Sequence, residues 1–351
     1  MPKVTIKDVA SFQCPAGLTL LKEVRKHGIK IDSECENGHC GRCKCTIISG
    51  SVDLEGDEEG VLTDEEFNNG VVLACCSKIT QDVTIELLDG PALPVEKQEA
   101  KVVEIDAPIA DVRRIKLLPS KVIKFIGGQY INAEFEGLPQ RPYSIASQPD
   151  EEFLTLHIRR QERGLVSTYA VDKLKVGETV VVEGPFGKAV LPENLEGKIL
   201  GASTGTGFAP VYAAVMKALK EDEQKEVYLY FGARNEADVY PKKEIDILKN
   251  YENVKIRIAL SRQASPSGIY GAGHVQDLIL ADGLPAAEEL TVYVAGSPAM
   301  VADVKKVMVN LGVPLGKILT DPFFSAKQSK ADEPLKKGFF GAMFATKKKS
   351  A

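Results

Sequence analysis

Cys35-Glu36-Asn37-Gly38-His39-Cys40-Gly41-Arg42-Cys43 sets three thiols at the spacing C-x4-C-x2-C, and Cys75 follows after 31 further residues. Four thiolates, three from one tight loop and one from a distant residue, can wrap a [2Fe–2S] cluster. Gly38 and Gly41 suit such a loop, because backbone must approach the inorganic sulfides without a Cβ in the way. The rival is a structural zinc site, which prefers paired C-x2-C knuckles. Cys14, Cys45 and Cys76 fall outside the pattern and read as small buried hydrophobes. For Cys76 the reason is local: successive strand residues point to opposite faces. His39 reads as a solvated loop residue, since a Rieske-type site needs two histidines.

The whole chain has 351 residues, 44 basic and 49 acidic, for a formal net charge of −5. That balance disfavours nucleic acid as the main partner, which needs a basic face. No apolar run is long enough to cross a bilayer, and Met1–Ile6 lacks a signal-peptide core. A cytoplasmic location is the expectation. Six of the seven cysteines lie between Cys35 and Cys76, which suggests a metal rather than a disulfide framework. Residues 1–90 hold 9 Lys/Arg and 16 Asp/Glu, a net of −7.

Outward from the cysteines the pattern changes twice. Val4–Ile6, Thr46–Ile48 and Val83–Leu87 read as strands around a helix marked by Leu18, Leu21 and Val24, with Gly28 as its cap. Gly90-Pro91-Ala92-Leu93-Pro94 reads as a linker. Strand-like runs at Lys101–Ile105, Arg114–Leu118, Gln129–Phe135, Phe153–Ile158 and Thr179–Val182 suggest an antiparallel barrel. Past 196, buried strands at Ile199–Ala202, Val227–Phe231, Ile256–Leu260 and Val292–Ala295 alternate with helices, the first over Ala209–Leu219. The predicted fold is therefore multidomain. An α+β, β-grasp-like unit (1–90) and a linker (91–98) precede an antiparallel β-barrel (99–195). An α/β parallel-sheet nucleotide-binding unit (196–324) and a basic tail (325–351) follow. The tail has seven lysines and two acids around Phe339-Phe340-Gly341-Ala342-Met343-Phe344.

Two further motifs carry chemistry. In Arg141-Pro142-Tyr143-Ser144-Ile145-Ala146-Ser147 an arginine can pair with a pyrophosphate, an aromatic ring can stack on an isoalloxazine, and a hydroxyl can reach a ring nitrogen. Gly164-Leu165-Val166-Ser167 opens a predicted helix, whose N-terminus suits a phosphate. Gly201-Ala202-Ser203-Thr204-Gly205-Thr206-Gly207 runs from buried strand to helix, as a dinucleotide loop does, although it is not G-x-G-x-x-G. Gly296-Ser297-Pro298 follows a later strand and can wall a nicotinamide. The plain alternatives are core packing for a Tyr beside a Pro, and an ordinary strand–helix turn for the glycines.

With these motifs in this order, the chain resembles the NAD(P)H-dependent oxygenase reductases, in which a plant-type ferredoxin domain is fused to a ferredoxin–NADP reductase-like module. The likeness is to reductases of bacterial multicomponent monooxygenases, such as phenol hydroxylase reductase, and the reductase of the CDP-6-deoxy-hexulose dehydrase system is also similar. The resemblance covers residues 1 to about 324. It implies a [2Fe–2S] cluster on Cys35, Cys40, Cys43 and Cys75, and FAD and NADH (or NADPH) as the other cofactors. It further implies Tyr143 stacked on the flavin, Arg141 on its phosphates and Ser144 near N5. His157, Ile158 and Arg159 match the strand flanking the flavin, and Gly164, Val166 and Ser167 the pyrophosphate turn. Thr204, Gly205, Thr206 and Gly296 would face the nicotinamide nucleotide, with Phe323 over the flavin's other face. Two departures stand out. Relatives usually have Cys before the glycine of 296, where this chain has Ala295, and most lack the tail.

A nicotinamide gives two electrons as hydride, a cluster takes one at a time, and a flavin can do both. The expected activity is therefore electron transfer from NADH through FAD and the cluster to a terminal oxygenase. A deoxysugar dehydrase or another iron enzyme is the alternative acceptor, and no side-chain acid or base need be catalytic. A redox-sensing module without turnover is the reading from another class, motivated by Ala295. Arg234 and Ser261-Arg262 are candidates for a 2′-phosphate, while the resemblance favours NADH. The tail reads first as a solubilising end, then as a docking segment for a partner or membrane surface, and third as a helix packing back on the core.

Overall fold

A computed structural model of the chain has three main sheets, one after another in sequence. It describes all residues except 8, 30, 32, 34, 35, 37, 39, 40, 42, 56–60, 63, 88–94, 264–268 and 325–351. Cys35, Cys40, His39, the 91–94 part of the linker and the basic tail thus lie outside the described residues.

The first sheet has the order Ala10–Gln13, Lys3–Ile6, Val83–Leu87, Lys44–Gly50, Val71–Leu73. Lys3–Ile6 runs parallel to Val83–Leu87 and the other pairs are antiparallel. The helix Leu20–Lys26 buries Leu20, Leu21 and Val24 in this unit's core. Leu18, expected on that helix, precedes it, because its carbonyl accepts from Ile79 N–H and Thr19 bridges Lys78. At the other end Gly28 takes φ +73, one residue past the cap His27. Only glycine enters that left-handed turn without strain.

The second sheet is wholly antiparallel, in the order Arg141–Ser144, Tyr130–Phe135, Thr179–Phe186, Glu96–Ile109, Val112–Pro119, Leu154–Arg159. Its two outer strands meet through an Ile145–Leu156 bridge and Ala146 N–H to Thr155 O (2.8 Å), so the sheet closes. Closure removes the exposed edges. Inward positions such as Val102, Ile115, Leu117, Ile131 and Leu156 are fully buried.

The third sheet is wholly parallel, in the order Tyr270–Ala272, Val254–Leu260, Val227–Ala233, Lys198–Thr204, Leu290–Gly296, Ile318–Pro322. Helices cover both faces of such a sheet, so its central strands read as continuous apolar runs. Every residue of Leu290–Gly296 is buried. The helix Phe208–Glu221 carries Pro210 in its first turn, where its missing N–H is harmless. Strand order reverses between Lys198–Thr204 and Leu290–Gly296, and such a switch point opens a ligand crevice at the strands' carboxyl ends.

Barrel and parallel sheet are clamped by buried polar groups. Tyr293, fully buried, donates to Ala189 O (2.6 Å) and Gly128 O (3.2 Å) across that junction. Arg114 on the barrel reaches Glu244 (2.7 Å) and Asp106 (2.6 Å), and also Tyr240 O. His157 Nδ1 lies 2.9 Å from the Tyr240 hydroxyl, with Glu244 3.7 Å from Nε2. Burial, helped by the Arg114 charge and opposed by Asp106, pushes the His157 imidazole down to about 3. The folded protein therefore holds His157 neutral. An unfolded chain takes up this proton below its ordinary value of 6.5. Stability present above pH 6.5 is lost as pH falls toward 3. His157→Asn, which keeps a polar atom near Nδ1, should flatten this loss by roughly 1 kcal/mol per pH unit in urea titrations from pH 7 to 5. Parallel profiles for the two proteins would count against it.

Candidate functional site

The crevice is built by backbone at very close quarters. Thr204 ends its strand and its hydroxyl accepts from Ser297 N–H (3.2 Å), which couples the two switch-point strands. A Cβ on Gly207 would collide with the Ala295 carbonyl, and one on Gly296 would sit 2.5 Å from Thr204 Oγ1. Gly296 also has φ +136. Gly205 is different: it takes φ +55, and nothing lies within 4 Å of its missing Cβ. Its side of the loop is open for close approach of a ligand. Ser203, just before, buries its hydroxyl with no partner among the described residues. Phe323 donates its N–H to Gly296 O (2.7 Å), so this late aromatic is held at the same corner. Ala295 is fully buried and its side chain joins the sheet's core.

The Gly205–Gly207 turn packs against the barrel strand Leu154–Arg159. On that strand Ile158 points into the barrel core, while His157 and Arg159 face the parallel-sheet unit. Arg159 is engaged by Asp111 (2.7 Å) and Asp238 (3.2 Å). Across the closure, Tyr143 is half-buried, its ring edge-on to Phe135 (centroids 6.0 Å apart). Burial raises its phenol pKa, with Arg141 opposing. Ser144 is buried beside it. Arg141 is exposed and its one described bond is to Gln140 O (2.8 Å), leaving donors for an anion. Ser147, in the same motif, instead accepts from Thr155 N–H (3.0 Å) and pins the strands.

Gly164 caps the helix Leu165–Asp172. A Cβ there would meet Ser167 Oγ at 2.5 Å. The Ser167 hydroxyl is spent inside the turn, accepting from Gln161 N–H (3.0 Å) and donating to Gly164 O (3.3 Å). Val166 is a core residue, so only its backbone is offered outward.

At the first sheet, Cys43 and Cys75 are buried and adjacent, with Cys75 N–H donating to Cys43 Sγ (3.4 Å). The Gly38 N–H also reaches the Cys75 sulfur. Gly38 and Gly41 both take positive φ, +90 and +68. The Cys43 thiol draws the pKa of Cys75 down, but Cys76 and burial outweigh it and leave it at about 12. Burial pushes Cys45 up to about 12 as well, against the Lys188 ammonium. Cys76 departs from the strand expectation. Residues 74–76 form a turn, so its thiol faces Cys75 Sγ at 3.6 Å instead of pointing away, although it is buried as expected. Lys188 sits just past the last barrel strand, and Lys305 in the helix Pro298–Asn310 has its pKa lowered by burial and by Lys44. Lys188 and Lys305 thus lie within electrostatic range of Cys45 and Lys44 at the start of the strand Lys44–Gly50.

Comparison with known proteins matches three family models in order. These are a 2Fe-2S iron-sulfur cluster binding domain (residues 4–80), an oxidoreductase FAD-binding domain (99–191) and an oxidoreductase NAD-binding domain (202–306). The ferredoxin–NAD(P)(+) reductase component of the naphthalene 1,2-dioxygenase/salicylate 5-hydroxylase systems of a Ralstonia species is 33% identical over 312 residues, 88% of this chain and 94% of that protein. This chain belongs to the ferredoxin–NAD(P)(+) reductase components. The CDP-6-deoxy-L-threo-D-glycero-4-hexulose-3-dehydrase reductase of Yersinia pestis is 29% identical over 317 residues, again 88% and 94% of the two chains. Among solved structures, an Amycolatopsis cytochrome P450 reductase superposes with a TM-score of 0.69 at 29% identity, covering 92% of this chain and 99% of that one.

As a reductase of this kind the protein is an NAD(P)H-dependent oxidoreductase using FAD and a [2Fe–2S] cluster. The residues present fit these groups. Cys43 and Cys75, soft, buried and adjacent, suit iron, which takes such groups as thiolates. The open Gly205 backbone and the spare Arg141 donors suit phosphates. Sequence reasoning missed Arg114, Tyr240, Glu244 and Tyr293, whose roles depend on partners far along the chain. The Gly205 opening yields a test. Gly205→Ala should cost about 1–2 kcal/mol for a side chain at φ +55 and raise KM for NADH about tenfold, because the added methyl fills the approach. Gly207→Ala should instead destabilise by about 2 kcal/mol or more. Thermal melts and steady-state kinetics of the two variants separate these outcomes.

Proposed function

We propose that this reductase takes electrons from NADH and delivers them singly to the iron centre of a terminal oxygenase, in the cytoplasm. When bound, the nicotinamide supplies hydride, the flavin divides the electron pair and the cluster carries single electrons. The chain's own task is to hold and align. Tyr143, Arg141 and Ser144 would grip the flavin from the barrel, with the 164–167 turn at its pyrophosphate. Thr204, Gly205 and Thr206 would take the nicotinamide nucleotide opposite Gly296, and Phe323 would shield the flavin from water and oxygen. Cys43 and Cys75, with Cys35 and Cys40 completing the sequence motif, would hold the cluster. One observation carries the reading: the Gly205–Gly207 turn abuts the barrel strand Leu154–Arg159, so the proposed nicotinamide and flavin sites adjoin.

The relatives' printed names support an oxygenase as the acceptor, with a sugar dehydrase as the second choice. The net charge of −7 over residues 1–90 favours a basic docking face on the partner. The cytoplasmic location is supported by clustered cysteines, which a reducing compartment keeps as thiols. No helix among the described residues is long and apolar enough to cross a membrane.

NADH is the favoured coenzyme. Arg234 follows the strand Val227–Ala233 but lies 3.7 Å from Asp238, which Arg159 also holds, and Glu236 stands between them in sequence. Carboxylates there suit ribose hydroxyls and oppose a 2′-phosphate. We predict that kcat/KM for NADH exceeds that for NADPH by at least about tenfold, a difference of ~1.4 kcal/mol. Equal values would sink the assignment.

The overall reading is tested by anaerobic titration of the visible spectrum. Sub-stoichiometric NADH should bleach both flavin and iron–sulfur bands. Cys43→Ala or Cys75→Ala should lose the iron–sulfur band, keep FAD and NADH-driven ferricyanide reduction, and pass electrons to a protein acceptor at least about tenfold more slowly. Chromophores that stay oxidised with either nucleotide would replace turnover with a sensing role.

A further inference from the structure

The turn that carries Cys75 holds a second sulfur that electron transfer does not otherwise use. Cys76 is 3% exposed, and its Sγ is 3.6 Å from Cys75 Sγ. Its backbone is fixed on both sides. Cys76 N–H donates to Leu73 O (2.9 Å), and Cys76 O accepts from Glu55 N–H (2.7 Å). The buried Ser77 hydroxyl donates to the same Leu73 carbonyl (2.7 Å), which tightens the turn further. The Cys76 side chain thus has little freedom to leave its neighbour.

We propose that Cys76 donates an S–H···S hydrogen bond to the sulfur through which Cys75 would bind the cluster, and thereby raises the cluster's reduction potential. The inference rests on Cys75 being a ligand. It makes Cys76 a positioning and tuning residue, not a ligand itself. The direction of the bond follows from the chemistry. A ligating cysteine is a thiolate with no hydrogen, so of the two sulfurs only Cys76 has one to give. Reduction adds negative charge that is shared by the ligand sulfurs. A donor aimed at one of them therefore stabilises the reduced form more than the oxidised form. Burial of both side chains keeps water from competing for that sulfur. The Gly38 N–H already serves Cys75 Sγ, and Cys76 would add a donor from a different direction. A higher potential makes the cluster an easier acceptor from the flavin and a weaker donor to the partner. Cys76 would therefore set how the reductase divides driving force between its two transfer steps.

The test is a redox titration of the intact holoprotein, monitored by the reduced cluster's electron paramagnetic resonance signal, for wild type, Cys76→Ser, Cys76→Ala and Cys76→Val. With iron content unchanged, Ala and Val should both raise the oxidised-to-reduced ratio at a fixed ambient potential about three- to tenfold. That corresponds to a midpoint roughly 30–60 mV lower, at 59 mV per tenfold for a one-electron couple. Ser keeps a donor and should match wild type or lie above it. A purely steric role would instead leave Val, which restores volume, beside wild type, and pair Ser with Ala. That result would overturn the proposal, as would an unchanged midpoint in both apolar variants. Loss of the cluster from Cys76→Ala, together with its retention in Cys75→Ala, would overturn the ligand assignment on which the proposal stands.

Discussion

The phenol of Tyr293 is the fixture on which the molecule's geometry hangs. It rises from the middle of a fully buried parallel strand and reaches two barrel carbonyls, those of Ala189 and Gly128. Gly128 has no room for a Cβ, which would fall 2.7 Å from the Tyr293 hydroxyl. A single hydrogen bond of this kind adds only about 1 kcal/mol net, but losing it would strand buried carbonyls at a further 1–3 kcal/mol. The constraint matters more than its energy. Hydride transfer needs two rings in contact, one held by the barrel and the other by the parallel sheet. A junction able to rock would lose that contact. Arg114, shared between Asp106 and Glu244, clamps the same junction against the helix Lys242–Leu248.

Much of this was legible in the sequence because its signals are local. The cysteine spacing, the apolar runs of the parallel strands and the change of rhythm near 196 each need only a short window. The strand Arg141–Ser144 was visible as a chemical motif but not as a strand, because Pro142 removes a ladder donor. It survives by pairing with Tyr130–Phe135 on one side while the chain just beyond it closes the barrel on the other. Tyr293, Arg114 and Cys76 were illegible for different reasons. The first two find partners more than a hundred residues away. Cys76 was misdirected by strand logic, since the turn at 74–76 bends two neighbouring thiols toward each other.

The site also shows why residue type alone says little about this chemistry. Ser167 and Ser147 sit in the motifs, yet their hydroxyls are spent on their own turns and strands. Ile158 and Val166 turn into the barrel core. What remains for ligands is backbone, together with the guanidinium of Arg141 and the ring of Tyr143. Glycine is therefore the informative residue, and its positions differ in kind. At Gly207 and Gly296 the missing Cβ lets the end of the strand Lys198–Thr204 and the turn after it lie close against Ala295 and Gly296, so those glycines serve the fold. At Gly205 it leaves open space that a ligand could approach, and φ +55 asks for glycine as well.

The same division runs through the rest of the protein's interior. Its buried titratable groups are held in their neutral or paired forms: His157 is neutral beside Tyr240, and Arg114 is paired with Asp106 and Glu244. A charge that changed state near the junction would alter the field felt by both electron-carrying halves with every proton exchanged. Holding His157 down at about 3 removes that coupling across the physiological range. The acidic surplus is kept instead on the first unit, where we propose a partner docks and where salt can screen it. Recognition thus stays adjustable by ionic strength, while the interior path does not.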